Sequence, residues 1–173
     1  MLTMVRINCL VGARWEEIDF KTAEWLIPAE RMKASRKGAG RPHIVYLSTQ
    51  ALELFNQLHL LAGGSEYALP SFGQSEHGTI AKSSLNRASN HTIDLAKKQG
   101  LPLEKFTVHD MRRTASTILH EQGYNSDWVE KASAHEQRGV RAVYNKAEYA
   151  EQRRQLLQDW ANMIDSYIDE FKL

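Results

Sequence analysis

The chain has 173 residues, of which 42% are hydrophobic and 25% charged, and its 22 Lys and Arg residues nearly balance its 21 Asp and Glu residues. This length and composition predict one globular domain and exclude the disordered, collagen-like and low-complexity classes. The single cysteine, Cys9, excludes a disulfide within the chain. No apolar run reaches the roughly 18 residues of a membrane helix, and the start lacks the pattern of a secretory signal, so we expect a cytoplasmic protein.

The first part of the chain predicts a helix end followed by a small antiparallel sheet. Apolar residues within positions 1–10 suggest the last turns of a helix with no N-cap, which in turn suggests a chain cut from a longer one. Three strand-like runs with the spacing of a meander follow, at 14–20, 24–28 and 43–47. Between the second and third runs, segment 31–41 carries five positive charges and no acid, and its glycines favour a hairpin tip.

Capping residues and apolar spacing predict that the rest of the chain is helical. A helix capped by Ser48 or Thr49 should present a broad apolar face that includes Leu54 and Leu61. Further helices are predicted at 80–99, 108–122, 127–134, 140–145 and from about 148 to the end, where the apolar stripe runs from Leu156 to Phe171. The sequence therefore predicts a mainly α fold with one small sheet.

Two pairs of residues have the chemistry for work on a phosphate. His109 and Arg112 are three apart on a predicted helix, so an imidazole and a guanidinium share one face. A guanidinium is a planar fork suited to two phosphate oxygens, and a histidine can move a proton. His135 precedes Tyr144 by nine residues. Each pair alone favours capping and packing roles over catalysis.

Taken together and in order, these motifs resemble the catalytic domain of the tyrosine recombinases, the phage integrase family, and are most similar to integrases of satellite phages and pathogenicity islands. The resemblance extends from residue 2 to about residue 160. The blocks that carry it are Arg6 with GARWEEID at 12–19, IPAERMK at 27–33, RPHIV at 41–45, His109-x-x-Arg112, and His135 with YNKAEY at 144–149. Where the family usually has an acidic residue, this chain has Cys9.

The resemblance implies a mainly helical recombinase catalytic domain with a three-stranded antiparallel sheet. It would cleave and rejoin DNA through a 3′-phosphotyrosine intermediate, for integration or excision of mobile DNA. The implied catalytic residues are Arg6, Lys33, His109, Arg112, His135 and Tyr144. Tyr144 would be the nucleophile, and the two arginines would hold the non-bridging phosphate oxygens.

The remaining implied catalytic residues, a lysine and two histidines, would take part in proton transfer. Lys33 would protonate the leaving 5′-oxygen, with Lys37 as a rival in the same loop. The two histidines would bond the phosphate and assist proton transfer. Arg36, Lys37, Arg41 and Arg113 are further candidates for DNA contacts. We expect no metal or other cofactor, since the cations can take the place of a metal and the set has no carboxylate cluster for Mg²⁺. The other histidines lack metal spacing and are expected at surface or core positions.

The resemblance also implies what the chain would act with. The family's arm-type and core-binding DNA domains are absent, so residues 1–173 would be the catalytic domain alone. Expected partners are duplex attachment sites, often at the ends of tRNA genes, and other recombinase protomers. The final helix would pack on its own core or on a neighbouring protomer. Two alternatives stay open: a decayed fragment that only binds DNA or a partner recombinase, and a type IB topoisomerase-like enzyme.

Overall fold

The core of the chain lies where a three-stranded antiparallel sheet meets the surrounding helices. The computed structural model describes residues 1–32, 40–71, 73, 78–135 and 147–170. The strands are β1 (Ile18–Asp19), β2 (Glu24–Ile27) and β3 (His43–Tyr46), in the order β1-β2-β3. Trp25 on the middle strand pairs with Ile18 and Val45, and its side chain is buried. The predicted meander is confirmed.

The prediction of a strand at 14–20 is wrong for most of that range. Trp15–Glu17 forms a turn of 3₁₀ helix, and strand pairing begins only at Ile18. The reason is the carboxylate of Glu17, which accepts hydrogen bonds from the backbone N–H of Arg14 at 3.3 Å and from the Trp25 indole at 3.1 Å. This local capping competes with strand pairing.

The helices are α1 (Ile7–Val11), α2 (Thr49–Leu61), α3 (Lys82–Lys98), α4 (Val108–Glu121), α5 (Ser126–Ala132) and α6 (Ala150–Glu170). Ser48, Thr107 and Asn125 cap α2, α4 and α5, each accepting a hydrogen bond from a backbone N–H of the first turn. These predicted caps are confirmed. The helix predicted at 140–145 lies outside the described residues.

Two helical predictions need correction. Arg6 has extended backbone, and the first helix begins only at Ile7, because Met4 takes the left-handed conformation at φ 50°, which a right-handed helix does not accommodate. The Trp160 indole of α6 donates to the Met1 carbonyl at 3.4 Å. On α2 the apolar face is narrower than predicted. Ala51 and Phe55 are buried, whereas Leu54 and Leu61 are 50% and 72% exposed.

The final helix packs on the chain's own core along its first half. Leu156, Leu157 and Trp160 are buried against elements that include α5, α2 and β3. Toward its end Tyr167 and Ile168 are about half exposed, and Phe171 lies outside the described residues. No helix within the described ranges is long and apolar enough to cross a membrane.

Candidate active site

Arg112 is a buried cation that α4 holds against the end of α5. The Thr107 hydroxyl caps α4, and the Asp110 carboxylate accepts a hydrogen bond from the Thr107 backbone N–H at 3.0 Å. This capping box fixes the first turn. The inward face of the helix then carries Arg112, Ala115 and Leu119. Arg112 is only 6% exposed, and its Nη2 donates to the carbonyl of Ser133.

Arg6 reaches the same turn from the other side. Its Nη2 donates to the Ala134 carbonyl at 3.1 Å. The turn is a Schellman motif, in which the N–H of Ala134 bonds Lys131 O at 3.0 Å and the N–H of His135 bonds Glu130 O at 2.9 Å. Ala134 takes the left-handed conformation at φ 50°, where glycine is usual. The turn thus presents consecutive carbonyls to two arginines.

His135 follows directly and completes a group of four predicted residues. Burial lowers the pKa of His135, and the charges of Arg112, Arg6 and His109 lower it further. His135 is therefore a neutral imidazole at pH 7. His109 lies on the exposed first turn of α4, so the structure brings together Arg6, His109, Arg112 and His135.

The charge on this group is not balanced by a carboxylate in the part of the chain that the structure describes. Burial, followed by the nearby charge of Arg6, lowers the pKa of Arg112 to about 10, which still leaves it a cation at pH 7. Its Nη1 is buried with no hydrogen-bond partner among the described residues. A desolvated, unpaired donor beside a second guanidinium has the charge and geometry to bind an anion.

Cys9 does not supply the missing negative charge. The thiol is buried, with its sulfur 3.7 Å from the carbonyl of Arg31. Burial raises the pKa of Cys9, against the opposing effect of Arg6, Arg31 and Arg112. The residue at the family's acidic position is therefore a neutral thiol at pH 7, and the positive charge stays available for a ligand.

Sequence reasoning missed the role of a third arginine, Arg31, which braces this region. Arg31 forms an ion pair with Glu17, and its Nη1 donates to Cys9 O at 3.5 Å. A Cβ atom at Gly12 would lie 3.1 Å from that same Nη1, so glycine leaves room for the guanidinium. The bond to the Cys9 carbonyl ties Arg31 to α1, the helix that follows Arg6, and the ion pair ties it to the turn at Glu17. The only sequence signal of this ion pair is that both residues fall inside blocks of the resemblance.

His43 lies half-buried on β3, and packing is its role there, as expected for the histidines without metal spacing. Its Nε2 is buried without a partner among the described residues, and it hydrogen-bonds the backbone of Ala132. Burial, then the charge of Arg153, lowers the pKa of His43 to about 3. A neutral histidine therefore holds β3 against the end of α5.

The remaining predicted residues divide into two groups. Lys33, Arg36, Lys37 and Tyr144 lie outside the described residues. Arg41 is exposed, and Arg113 is exposed with its guanidinium 3.1 Å from the Asp110 carboxylate. Within the described ranges, no group of three or more His, Cys, Asp or Glu side chains is placed to hold a metal ion.

Comparison with known proteins shows the family of this chain. The family model described as "Phage integrase family" matches residues 1–151. The chain belongs to the phage integrase family. Among curated relatives, this integrase-family chain is 37% identical over 166 residues to prophage integrase IntA of Escherichia coli K12, and 34% identical over 177 residues to the integrase of Enterobacteria phage P4. Each match covers 95% of this chain but 37% and 38% of the relative. The chain thus spans less than two fifths of these relatives.

Solved structures share the fold. The integrase from mycobacterium phage Brujita matches 91% of this chain and 47% of its own, with a TM-score of 0.65 and 14% identity. The Tn1549 transposon integrase in complex with transposon right end DNA matches 89% of this chain and 54% of its own, with a TM-score of 0.63 and 14% identity. XerA recombinase matches 99% of this chain and 55% of its own, with a TM-score of 0.56 and 18% identity. The expected fold, a helical integrase domain with a small antiparallel sheet, is confirmed.

Proposed function

We propose that this chain is the catalytic domain of a site-specific DNA recombinase that breaks and rejoins strands during integration or excision of mobile DNA. The observation that carries the proposal is the convergence of Arg6, Arg112 and His135 on one turn without a carboxylate among the described residues. Such a site favours a phosphodiester, which is anionic and gathers more negative charge when attacked. Family membership supports the same substrate class.

The proposed reaction begins with attack of the Tyr144 phenol oxygen on a backbone phosphorus. A phosphorus–oxygen bond to the tyrosine forms, and the bond to the 5′-oxygen of the next nucleotide breaks. A tyrosine phenol in water has a pKa near 10, so such a nucleophile needs a proton acceptor at pH 7. Neutral His135 is suited to accept that proton, and Lys33 would protonate the leaving oxygen. A second 5′-hydroxyl then reverses these steps and restores a phosphodiester.

The arginines would stabilise the transition state. Arg112 and Arg6 each donate one hydrogen bond from Nη2 to a carbonyl. Their other N–H groups would bind the non-bridging oxygens. The turn fixes both side chains before substrate arrives, and such preorganised donors are each worth roughly 3–4 kcal/mol in oxyanion sites. His109 at the exposed edge would bond the same phosphate.

The partners would be duplex attachment sites and further protomers. The Tn1549 integrase, whose fold this chain shares, is described in complex with transposon DNA. Arg41 is exposed, as a DNA contact requires, and Arg36, Lys37 and Arg113 are proposed with it. The exposed Tyr167 and Ile168 near the end of α6 are suited to a neighbouring protomer. We place this activity in the cytoplasm, where bacterial DNA lies.

We also propose that DNA-binding domains accompany this one in the whole protein, because the curated relatives are more than twice as long as their matched parts. The test uses nicked duplexes that carry tRNA-gene ends, in which cleavage releases a short piece and traps the covalent complex. A chimera in which this chain replaces the matched segment of prophage integrase IntA is assayed beside the chain itself. We expect a covalent band in EDTA that Tyr144→Phe abolishes.

The same assay separates the alternatives. DNA binding without a covalent band, in both chain and chimera, would favour a decayed site. Relaxation of any supercoiled plasmid would favour a topoisomerase-like enzyme, whereas a recombinase needs its own sites. To choose between Lys33 and Lys37, the leaving 5′-oxygen is replaced by sulfur, which departs without a proton because a thiol is far more acidic than an alcohol. The variant of the true general acid should cleave only the sulfur substrate.

A further inference from the structure

Arg31 connects the short helix α1 to the 3₁₀ turn that precedes the sheet. Its Nη1 donates to the Cys9 carbonyl at 3.5 Å, and the Cys9 thiol donates to the Arg31 carbonyl at 3.7 Å. The last carbonyls of a helix have no N–H partner within the helix, so a donor from outside can satisfy them. Arg31 therefore holds the last turn of α1.

Glu17 holds Arg31 in turn. In their ion pair the Glu17 side chain is only 9% exposed and the Arg31 side chain 20%. Oε2 of Glu17 also accepts a hydrogen bond from the Trp25 indole at 3.1 Å, and Trp25 is fully buried on the middle strand. A guanidinium is a rigid fork, so one that bonds an anchored carboxylate and a helix carbonyl has little freedom left.

Gly12 leaves the space that this guanidinium occupies. A Cβ atom at Gly12 would lie 3.1 Å from Nη1 of Arg31 and 3.2 Å from its Cδ, whereas carbon atoms in contact are usually about 3.5–4.0 Å apart. The φ of Gly12 is −91°, which other residues also adopt, so space rather than backbone conformation requires the glycine. A side chain at position 12 would displace Arg31 from the Cys9 carbonyl.

Arg6 directly precedes α1 and is bonded to its first turn. The Arg6 carbonyl accepts hydrogen bonds from the N–H groups of Cys9 at 2.9 Å and Leu10 at 3.2 Å, so the backbone of Arg6 moves with the helix. The Arg6 side chain then donates from Nη2 to the Ala134 carbonyl at 3.1 Å. One bond to a carbonyl does not fix a guanidinium by itself. The placement of Arg6 therefore depends on the helix that carries it.

We propose that Arg31 and Glu17 are positioning residues for Arg6, one of the two arginines that would hold the phosphate. Glu17 holds Arg31, and Arg31 holds the helix that begins directly after Arg6. The inference rests on the proposed function, since the phosphate is that of the DNA backbone. An error of about 1 Å in the placement of a group at the reacting atoms can cost 10²-fold in rate, so small shifts of α1 should be measurable.

Sulfate binding is the first measurement, because it probes Arg6 without requiring catalysis. The affinity is obtained from the rise in the free energy of unfolding as sulfate replaces chloride at constant ionic strength. Arg31→Met should weaken sulfate binding about 5-fold, less than the roughly 10-fold or more expected when a charged hydrogen bond is lost outright. In an Arg6→Met background the same substitution should have almost no effect on sulfate binding, because no Arg6 is left to position. Equal weakening in both backgrounds would mean that Arg31 does not act through Arg6.

Glu17→Gln separates positioning from charge. Glutamine keeps an oxygen that can accept the bond from Trp25, but it ends the ion pair with Arg31. If charge alone mattered, removing a carboxylate would strengthen sulfate binding. If Glu17 holds Arg31, sulfate binding should weaken several-fold instead, and stronger binding would overturn the inference.

Two further variants change the link and its surroundings selectively. Gly12→Ala displaces Arg31 with no change of charge, so sulfate binding should again weaken several-fold. Arg154→Met is the matched control, because Arg154 pairs with Glu24 at 2.7 Å and so ties α6, rather than α1, to the same sheet. Sulfate binding in Arg154→Met should equal that of the wild type. Single-turnover cleavage of saturating nicked duplex should follow the same order, with Arg31→Met about 10-fold slower than wild type.

Hydrogen exchange tests the link without any anion. The N–H groups of Cys9 and Leu10 should exchange several-fold faster in Arg31→Met and Gly12→Ala than in wild type, and at the wild-type rate in Arg154→Met. Unchanged exchange in Arg31→Met, or a wild type that sulfate stabilises no more than chloride does, would overturn the inference. If the wild type forms no covalent complex on any duplex, the proposed function fails, whereas sulfate binding and exchange still decide whether Arg31 positions Arg6.

Discussion

Arg112 and Arg153 are both buried, but replacing each of them by methionine should change the free energy of unfolding by different amounts. Arg112 donates one bond to a carbonyl beside a second cation, whereas Arg153 has the carbonyls of Ile44 and Glu148, the Glu148 carboxylate and an aromatic ring as partners. Methionine keeps much of the volume and removes the charge. The contrast separates a cation kept for a ligand from a cation that supports the fold.

The expected change in the free energy of unfolding for Arg112→Met follows from the environment of Arg112. The fall of its pKa from 12.5 to about 10 means that folding disfavours the charged form by about 3 kcal/mol at neutral pH. Losing the bond to Ser133 O costs about 1–3 kcal/mol, so the two effects nearly cancel. Arg112→Met should therefore leave the free energy of unfolding within about 1 kcal/mol of wild type. Arg153→Met leaves the carbonyls of Ile44 and Glu148 without this donor, at about 1–3 kcal/mol for each carbonyl, and should therefore cost more than Arg112→Met.

Urea unfolding at pH 7 measures both variants, first without and then with sulfate. Sulfate should stabilise the wild type more than chloride at equal ionic strength, because it binds the unpaired guanidinium, and Arg112→Met should lose this difference. A loss of more than 3 kcal/mol in Arg112→Met, or sulfate stabilisation that survives the substitution, would refute the reasoning.

Three further predictions concern stability. Burial lowers the pKa of His43 to about 3, so the unfolded chain takes up a proton that the folded chain refuses as pH falls below about 6.5. Stability should drop by about 2 kcal/mol from pH 7 to pH 5, and urea unfolding of His43→Gln should show most of that drop removed. Thr107→Ala removes the cap of α4 and should cost about 1 kcal/mol, and an unchanged Tm would contradict the capping role. Trp160→Ala should cost about 3–5 kcal/mol, whereas Tyr167→Ala should stay within 0.5 kcal/mol; similar losses would mean that both ends of α6 are core.

Helices and strands could be predicted from the sequence where local signals and packing agree. The caps at Ser48, Thr107 and Asn125 and the spacing of the three strand-like runs predicted elements that the structure confirms. The predictions failed where a long-range contact decides the conformation. Arg6 has extended backbone, and the Met1 carbonyl accepts a hydrogen bond from Trp160, 159 positions away, a contact that no local pattern reveals.

The candidate site shows the same division. The family blocks predicted Arg6, His109, Arg112 and His135, which the structure brings together around one turn. Arg153 was missed although it shares the helical face of Leu156 and Trp160. A charged residue within a buried apolar stripe signals a paired ion, but its partners on β3 and at Glu148 appear only in three dimensions.

The most direct test of the central claim is to identify the residue that becomes linked to DNA. The chain and its IntA chimera are incubated with nicked attachment-site duplex in EDTA, digested with nuclease and trypsin, and analysed by mass spectrometry. We expect a nucleotide adduct on the tyrosine of the peptide that contains Tyr144, and none in Tyr144→Phe. Bound DNA without any adduct, or an adduct that persists in Tyr144→Phe, would contradict the account.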